Sequence, residues 1–443
     1  MTSAIRTQDV SASSDYSKSR ARKAAFGSFI GAVVDWYDFL LYGIVAALIF
    51  NTEFFPKVSP AMGTLAAFGT FGVGFLFRPL GGIVFGHYGD RLGRKRMLVL
   101  TVTMMGLSTA LIGLLPGFAS IGWWAPVLLV VLRAIQGFAV GGEWGGAALM
   151  AVESAPEKQK AFYSSGVQVG YGVGLILATG IVSILTMTLD DAAFRSWGWR
   201  IPFVLSIALV LVGLWVRSSV EESQEFVDRV EKPRRRARLP IFQALRQNPE
   251  AFLLIIALRL AELFTMYIVT AFALSYSTAN LGMPRQFFLN IALLVGAVSI
   301  VTIPLFAMAA DRFGRRRVYI TGAVIGMLSS VPFFVALDRH STPWIVVFSV
   351  MLANVAHDMV VSVQQPMFTQ LFGTEFRYSG AGVGYQVASV VGGGFTPFIA
   401  VALVNMAGGS WHPVAAYMAT GCLLSVLVAW KMKTRFSASY SGR

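Results

Sequence analysis

The sequence is poor in cysteine, in charge and in histidine. A single cysteine among 443 residues, Cys422, excludes an internal disulfide and any cysteine-based metal cluster. Its apolar surroundings mark it as small filler in a late helix. Charged residues make up 13% of the chain, against about 25% in soluble domains, which excludes an ordinary water-soluble fold. The four histidines (His87, His340, His357 and His412) are scattered, so no paired-histidine metal motif is present. There is no nucleophile elbow and no Walker loop. The close glycines of "GVGYQVASVVGGG" fall in an apolar run, where a phosphate would not be bound. The chain is therefore expected to be neither an enzyme nor a metal protein, and no chemical cofactor is implied.

What is present is hydrophobic sequence: 56% of residues, with a mean hydropathy of +0.65. A membrane helix needs about 20 mostly apolar residues. Twelve segments qualify, at 24–50, 62–87, 97–116, 124–152, 162–187, 199–217, 251–275, 287–309, 317–337, 343–371, 379–403 and 412–432. Their length excludes a β-barrel, whose strands are short and alternating. Residues 1–23 are polar and Ser-rich and end in Arg20, Arg22 and Lys23. The run that follows is too long for a signal-peptide core, so it reads as an uncleaved first membrane helix. Spans two, five and eleven are glycine-rich, which lets membrane helices approach closely.

The basic residues set the orientation. Of the 36 Lys and Arg, 28 fall on the side of both termini and the even-numbered loops. Five fall opposite, namely Lys57, Arg195, Arg200, Arg285 and Arg339. By the positive-inside rule both termini are cytoplasmic, and an inner-membrane, multi-pass protein is expected. The formal net charge of +14 is thus a topology signal. Nucleic-acid binding, the other reading of so basic a chain, does not suit basic residues confined to short loops between spans.

The loop at 218–250, containing "EKPRRRARLP", divides the chain into a tail (1–23), a six-helix bundle (24–217), a linker, a second six-helix bundle (251–432) and a second tail (433–443). An internal repeat supports the division. "GDRLGRKRM" follows the second span and "ADRFGRRRV" the eighth, with Asp90 and Asp311, and Gly93 and Gly314, each 221 residues apart. The first span of each half carries charges three residues apart: Asp35 and Asp38, then Arg259 and Glu262. Two related six-helix halves are a transporter architecture, with the substrate site near the midplane between them.

Ionisable residues inside a membrane are costly and usually functional. At 1.5 Å per residue, Asp35 and Asp38 lie roughly 16–21 Å from the start of the first span, near the middle of a hydrocarbon core about 30 Å thick. Arg78, Arg133 and Arg259 are the three remaining cations, all within spans. Gln136 and Glu143 share a stripe of the fourth span, and His357 and Asp358 lie in the tenth. Most of these groups are expected to face a central cavity.

"GHYGDRLGRKR" and its repeat resemble the loop signature of the major facilitator superfamily. "RAIQG" at Arg133, with Glu153 twenty residues on, is similar to that family's fourth-helix pattern. The resemblance implies that Asp90, Arg94 and Glu153, repeated as Asp311 and Arg315, form an ion-pair latch closing the cytoplasmic face. The other reading of these loop charges is a topology signal alone. "GAVVDWYDFLLYG", "FLFRPLGG", "QGFAVGGEWGGA" and "SWGWRIPF" look like the metabolite:proton symporter branch, which includes carriers of α-ketoglutarate, citrate, proline/betaine and shikimate. Nearly the whole chain is most similar to the shikimate-carrying members. Their substrate is a ring carboxylate with three hydroxyls. The proline/betaine osmosensors can bear a heptad-rich C-terminal extension, and only about a dozen residues without heptads follow the last span here. A drug/proton antiporter of the same fold fits less well with three intramembrane arginines.

The resemblance implies that Asp35 or Asp38 pairs with Arg133. Protonating the acid then frees the guanidinium for an anion. Asp35 is favoured for the proton, and Glu143, Glu262 and Asp358 are the further proton-coupling candidates. A permanent structural ion pair is the competing reading. An arginine fork suits a carboxylate, and amides and phenols suit hydroxyls. The substrate-binding candidates are Arg78, Arg133, Gln136, Gln168, Tyr171, Arg259, Asn354, Gln364, Gln365, Tyr385 and Gln386. Each neutral one serves equally well as interhelical glue. Trp36, Tyr37 and Trp144 are candidates for an apolar wall, with packing the expected role for two of them. The expected whole is an all-α, twelve-helix monomer that carries a small organic anion, shikimate or a relative such as quinate, with a proton across a lipid bilayer.

Overall fold

The computed structural model describes residues 26–27, 29–92, 94–153, 160–218, 245–371 and 377–432. Most of the predicted linker at 218–250, and both predicted tails, lie outside the described residues. Among those described, every regular element is helical. Eleven helices are long and apolar enough to cross a bilayer, and a twelfth, with Val99–Leu114 as its apolar part, is shorter. We number them α1 (Phe29–Glu53), α2 (Pro60–Phe85), α3 (Arg94–Leu114), α4 (Trp124–Glu153), α5 (Lys160–Thr188) and α6 (Gly198–Trp215). They continue with α7 (Pro249–Ala279), α8 (Arg285–Phe313), α9 (Arg315–Asp338), α10 (Thr342–Phe368), α11 (Gly380–Met406) and α12 (His412–Lys431). Twelve spans match twelve expected segments, with ends displaced by a few residues.

Helices α1 and α7 are the most enclosed, at 78% and 72% buried, and Asp38, Arg259 and Glu262 on them are buried. The outward faces are apolar. Trp124 and Trp344 are exposed at one end of the bundle, and Trp215 and Trp430 at the other. Tryptophans at both ends of the spans match the interfacial belts of membrane proteins.

Local irregularities position the polar side chains. At Phe77 the helix breaks between Pro60–Leu76 and Arg78–Leu92. Pro79 accounts for it: proline donates no backbone hydrogen bond and its ring crowds the preceding turn. Arg78 therefore begins a new helical segment. Single π turns interrupt α1 at Ala46–Phe50, α7 at Ile268–Phe272, α10 at Met351–Ala356 and α11 at Val390–Gly394. Those of α1 and α7 are repeat-related to within one residue. Such bulges gather at functional sites because they re-aim the side chains around them.

Glycine sets the closest crossings. A Cβ on Gly137 of α4 would lie 1.7 Å from the Gly74 carbonyl oxygen of α2. The two backbones touch, which brings Arg133 beside Arg78. Between the halves, a Cβ on Gly172 of α5 would lie 2.7 Å from the Gly296 oxygen of α8, and one on Gly296 2.9 Å from the Gly172 oxygen. This reciprocal contact falls near the middle of both helices.

The aromatic trio divides. Tyr37 is fully buried and donates to the Pro202 carbonyl at 2.7 Å, tying α1 to the start of α6. Trp36 packs edge-on against Tyr171 of α5, centroids 5.2 Å apart. The Trp144 side chain lies outside the described part.

Overpacking a close crossing costs about 1–3 kcal/mol. Gly172→Val is expected to lower the apparent melting temperature of the detergent-solubilised protein by several degrees. Gly166→Ala, on the same helix where a Cβ meets nothing within 4 Å, should leave it unchanged.

Candidate functional site

A polar void lies inside the first six helices. Asp35, Asp38, Phe39, Arg78, Arg133 and Gln136 line it, with Gly74, Met105, Gly137 and Val140. The free space between these atoms is about 10 Å³, room for about one water-sized sphere.

Its hydrogen bonds form a chain. Arg133 Nη1 donates to Gln136 Oε1 at 3.0 Å, and Gln136 Nε2 donates to Thr109 Oγ1 at 2.5 Å. The Thr109 hydroxyl has two acceptors in reach, Asp38 Oδ2 at 2.9 Å and the Met105 carbonyl at 3.0 Å, and one hydrogen to give. Asp38 is 2% exposed and Arg133 3%. The direct Asp–Arg contact implied by resemblance is thus replaced, for Asp38, by a relay through Thr109 and Gln136. Asp35 lines the same void and is less buried.

The guanidiniums rest on aromatic faces. Arg133 Cζ lies 4.1 Å from the Tyr42 ring centroid and 5.1 Å from that of Phe39. Arg78 Cζ lies 4.1 Å from Phe75 and 4.5 Å from the same Phe39. Cation–π contact supports a buried charge without using its N–H groups. Arg133 Nε and Nη2, Arg78 Nε and Asp38 Oδ1 are buried with no hydrogen-bond partner among the described residues. Donors held without acceptors beside a void are what an anion site requires.

The second half is arranged differently. Arg259 grips Glu262 with both prongs, Nε to Oε2 at 3.1 Å and Nη2 to Oε1 at 2.9 Å. Its Nη1 donates to the Tyr385 carbonyl at 2.8 Å and to Ser389 Oγ, and its Cζ lies 3.4 Å from the Tyr385 ring centroid. Every arm is occupied, so the pair fastens α7 to α11. Asn354 donates to the Val295 carbonyl at 2.8 Å and to Ser299 Oγ at 2.9 Å, joining α10 to α8. Asp358 bonds His357 and Thr302. Gln168, Gln364, Gln365 and Gln386 are all buried. Tyr171 is buried against His357, ring centroids 5.1 Å apart.

Of the latch residues, Asp311 is bound across the halves. Its carboxylate accepts from the Ala161 N–H at 3.2 Å and the Phe162 N–H at 3.0 Å, at the start of α5, and Arg315 lies 3.5 Å away. A carboxylate on the first turn of a helix is favoured by the exposed amides and the helix dipole. At the opposite end of the same two helices, Gln286 donates to Ser183 at 2.5 Å and Arg285 pairs with Asp191 at 2.6 Å. Along α5 and α8 the halves are joined at both ends. The side chains of Asp90, Arg94, Glu143 and Glu153 lie outside the described part.

Sequence reasoning missed Thr109 and Phe39. Thr109 sits in "GLSTALIGL", where a threonine reads as ordinary helix surface. Phe39 was visible only as the neighbour of Asp38.

The model of the family described as "Sugar (and other) transporter" matches residues 24–437. The chain is 71% identical over 418 residues to the shikimate transporter of Escherichia coli K12, covering 94% of this chain and 95% of that protein. It is 37% identical to the inner membrane metabolite transport protein YhjE of the same organism, covering 92% and 93%. Among solved structures it superposes on the xylose transporter XylE from E. coli in a partially occluded inward-open conformation. The TM-score is 0.70 at 20% identity, covering 94% of this chain and 98% of that one. It also superposes on the proton:xylose symporter XylE bound to 6-bromo-6-deoxy-D-glucose, with a TM-score of 0.73 at 18% identity over 95% and 96%.

The Asp311 contact predicts an accessibility change. Cys422, the one native cysteine, is buried, so labelling background is low. A cysteine placed at Ala161, which is 0% exposed, should react with maleimide several-fold faster when Asp311→Ala is added. An unchanged rate would mean that Asp311 does not hold this end shut.

Proposed function

The chain belongs to the sugar (and other) transporter family of the major facilitator superfamily, and on that premise we propose that it imports shikimate together with a proton across the bacterial inner membrane. The observation that carries this reading is the 71% identity, over 94% of the chain, to a shikimate transporter. The excess of basic residues on the Asp311 side makes that side cytoplasmic. One chain encloses the whole site, so a monomer suffices.

Charge balance supplies the mechanism. The void is lined by two guanidiniums, Arg78 and Arg133, and two carboxylates, Asp35 and Asp38. With both acids ionised the set is neutral. A monoanionic substrate entering it leaves one negative charge in excess, and an uncompensated charge near the bilayer centre costs about 2.5–3.5 kcal/mol or more. One proton, on Asp35 or Asp38, restores neutrality. Substrate and proton therefore load together.

The relay carries this at Asp38. While ionised, Asp38 accepts the Thr109 hydrogen and holds the Thr109–Gln136–Arg133 chain under its negative charge. Once protonated, it releases that hydrogen to the Met105 carbonyl. The N–H groups of Arg133 that are already open then lack a balancing negative charge, and they take the substrate carboxylate as a planar fork. Gln136, with its two donors and acceptor, reaches the same space. Because the present void admits about one water, a ring substrate enters only after the halves rock apart. The contacts at the two ends of α5 and α8 are the gates that alternate.

Quinate differs from shikimate by small changes on the same ring, so uptake of labelled shikimate into proteoliposomes is measured with quinate, citrate, α-ketoglutarate and proline as competitors. Shikimate should accumulate against its gradient when the outside is acidic. Competition by proline or citrate stronger than by shikimate itself would overturn the substrate. In the same assay the coupling acid is found with Asp35→Asn and Asp38→Asn. The variant that mimics the protonated acid should lose accumulation and keep shikimate exchange, which needs no net proton release. If the relay operates, Thr109→Val should weaken accumulation about tenfold, roughly 1.4 kcal/mol, and Thr109→Ser should retain it. Full accumulation by both Asn variants would remove these aspartates from coupling.

A further inference from the structure

A second titratable pair is buried where the halves meet. His357 and Asp358 follow the π turn of α10 and are 2% and 0% exposed. Asp358 Oδ1 lies 2.8 Å from His357 Nδ1, and Oδ2 accepts from Thr302 Oγ1 of α8 at 2.5 Å. At the offset that superposes the two loop signatures, Gln136 falls on His357 and Arg133 on Asn354. The pair thus occupies the level of the first half's anion site, with no arginine in Arg133's place.

Among the described residues the neighbours supply no compensating cation. From α5, Tyr171 covers the imidazole, and Trp36 of α1 packs on the same Tyr171. From α8 come the hydroxyls of Thr302 and Ser299. From α9, Gly322 and Gly326 press on the α10 stretch Ala356–Val360. On α7, Arg259 is engaged by Glu262. Among the described residues no lysine or arginine lies within ion-pair distance of Asp358, whose ion-pair partner is His357.

An ionised Asp358 beside a neutral imidazole is a lone negative charge in the membrane interior, the expensive state. When Nδ1 donates its hydrogen to the carboxylate, Nε2 is the open basic position. A proton taken up at Nε2 makes an imidazolium–carboxylate pair of net charge zero, and no other bond changes.

We propose that His357 and Asp358 form a second proton site, loaded while α5 and α10 are in contact and emptied when they part. Tyr171, from the other half, is the cover that links occupancy to conformation. When the halves separate the ring withdraws, water reaches the imidazole and hydrates the bare carboxylate, and the proton leaves. This rests on the symport reading and extends it: with one proton balancing the substrate in the first half, two protons accompany each shikimate.

The full-length protein in proteoliposomes tests this by the pH gradient that just balances a fixed shikimate gradient. The wild type should balance at two protons per substrate, and His357→Gln and Asp358→Asn at one. A purely structural pair would slow transport without moving the balance point. A wild-type ratio of one, or a ratio of two preserved in the folded variants, overturns the proposal.

A second readout needs no variant to fold well. With only four histidines in the chain, imidazole-nitrogen NMR of the wild type should show His357 protonated on both nitrogens with shikimate bound. It should be neutral when the site opens to a solution of the same pH. A neutral His357 in the loaded state overturns the proposal. Failure of any pH gradient to drive shikimate accumulation would remove the symport reading instead, and the imidazole signal would still decide whether the site exists.

Discussion

A charge inside hydrocarbon has to be answered within the protein, and the polar architecture of this chain follows from that constraint. Three arginines and several acids lie among apolar spans, each costing about 2.5–3.5 kcal/mol or more if left exposed to lipid. Arg259 is answered completely, by a two-pronged carboxylate, a carbonyl and a hydroxyl. Arg133 is answered only in part: one N–H reaches Gln136 and aromatic rings cover its faces, while two nitrogens remain without acceptors among the described residues. The first arrangement is filled and the second is left open. Buried donors left unfilled cost about 1–3 kcal/mol each, and such a cost is sustained where a ligand will fill them.

The two halves started from one repeat and diverged in charge. At the signature offset, Asp38 of α1 falls on Arg259 of α7. One half presents an acid where the other presents a base. The acid was kept near a hydroxyl relay that can change its hydrogen bonds. The base was locked by Glu262 one turn along its own helix. Among the described residues the arginines with unfilled N–H groups lie in the first half, while in the second Arg259 is filled by its neighbours and His357 and Asp358 form a buried pair near Tyr171 of the first half. The glycine crossings make this usable, because Gly74 and Gly137 set Arg78 beside Arg133 while Gly172 and Gly296 let the halves touch without interlocking.

Much of this was legible in the sequence, for physical reasons. Spans are readable because a bilayer demands long apolar runs, so all twelve appear where hydropathy put them. Asp35, Asp38, Arg78 and Arg133 were conspicuous because charge is scarce there, and the structure brings all four around one void. Thr109 was not legible, since a threonine in an apolar helix is usually bonded to its own backbone, and only the position of α3 beside α1 and α4 makes it a relay. The relation of Asp38 to Arg133 was likewise beyond the sequence: proximity followed from the resemblance, but the two side chains inserted between them depend on helix rotation. The equal-looking pair Arg259 and Glu262 is filled where Arg133 is open, because α11 offers Ser389 and the Tyr385 carbonyl at the right height, which no sequence pattern shows.

If charge balance governs the site, the anion is held only together with a proton. Calorimetry of shikimate binding to the purified carrier, repeated in buffers of different ionisation enthalpy, counts the protons taken up on binding. Charge balance requires at least one proton per shikimate, and an affinity that strengthens as pH falls. Binding that takes up no proton, with an affinity independent of pH, would contradict it.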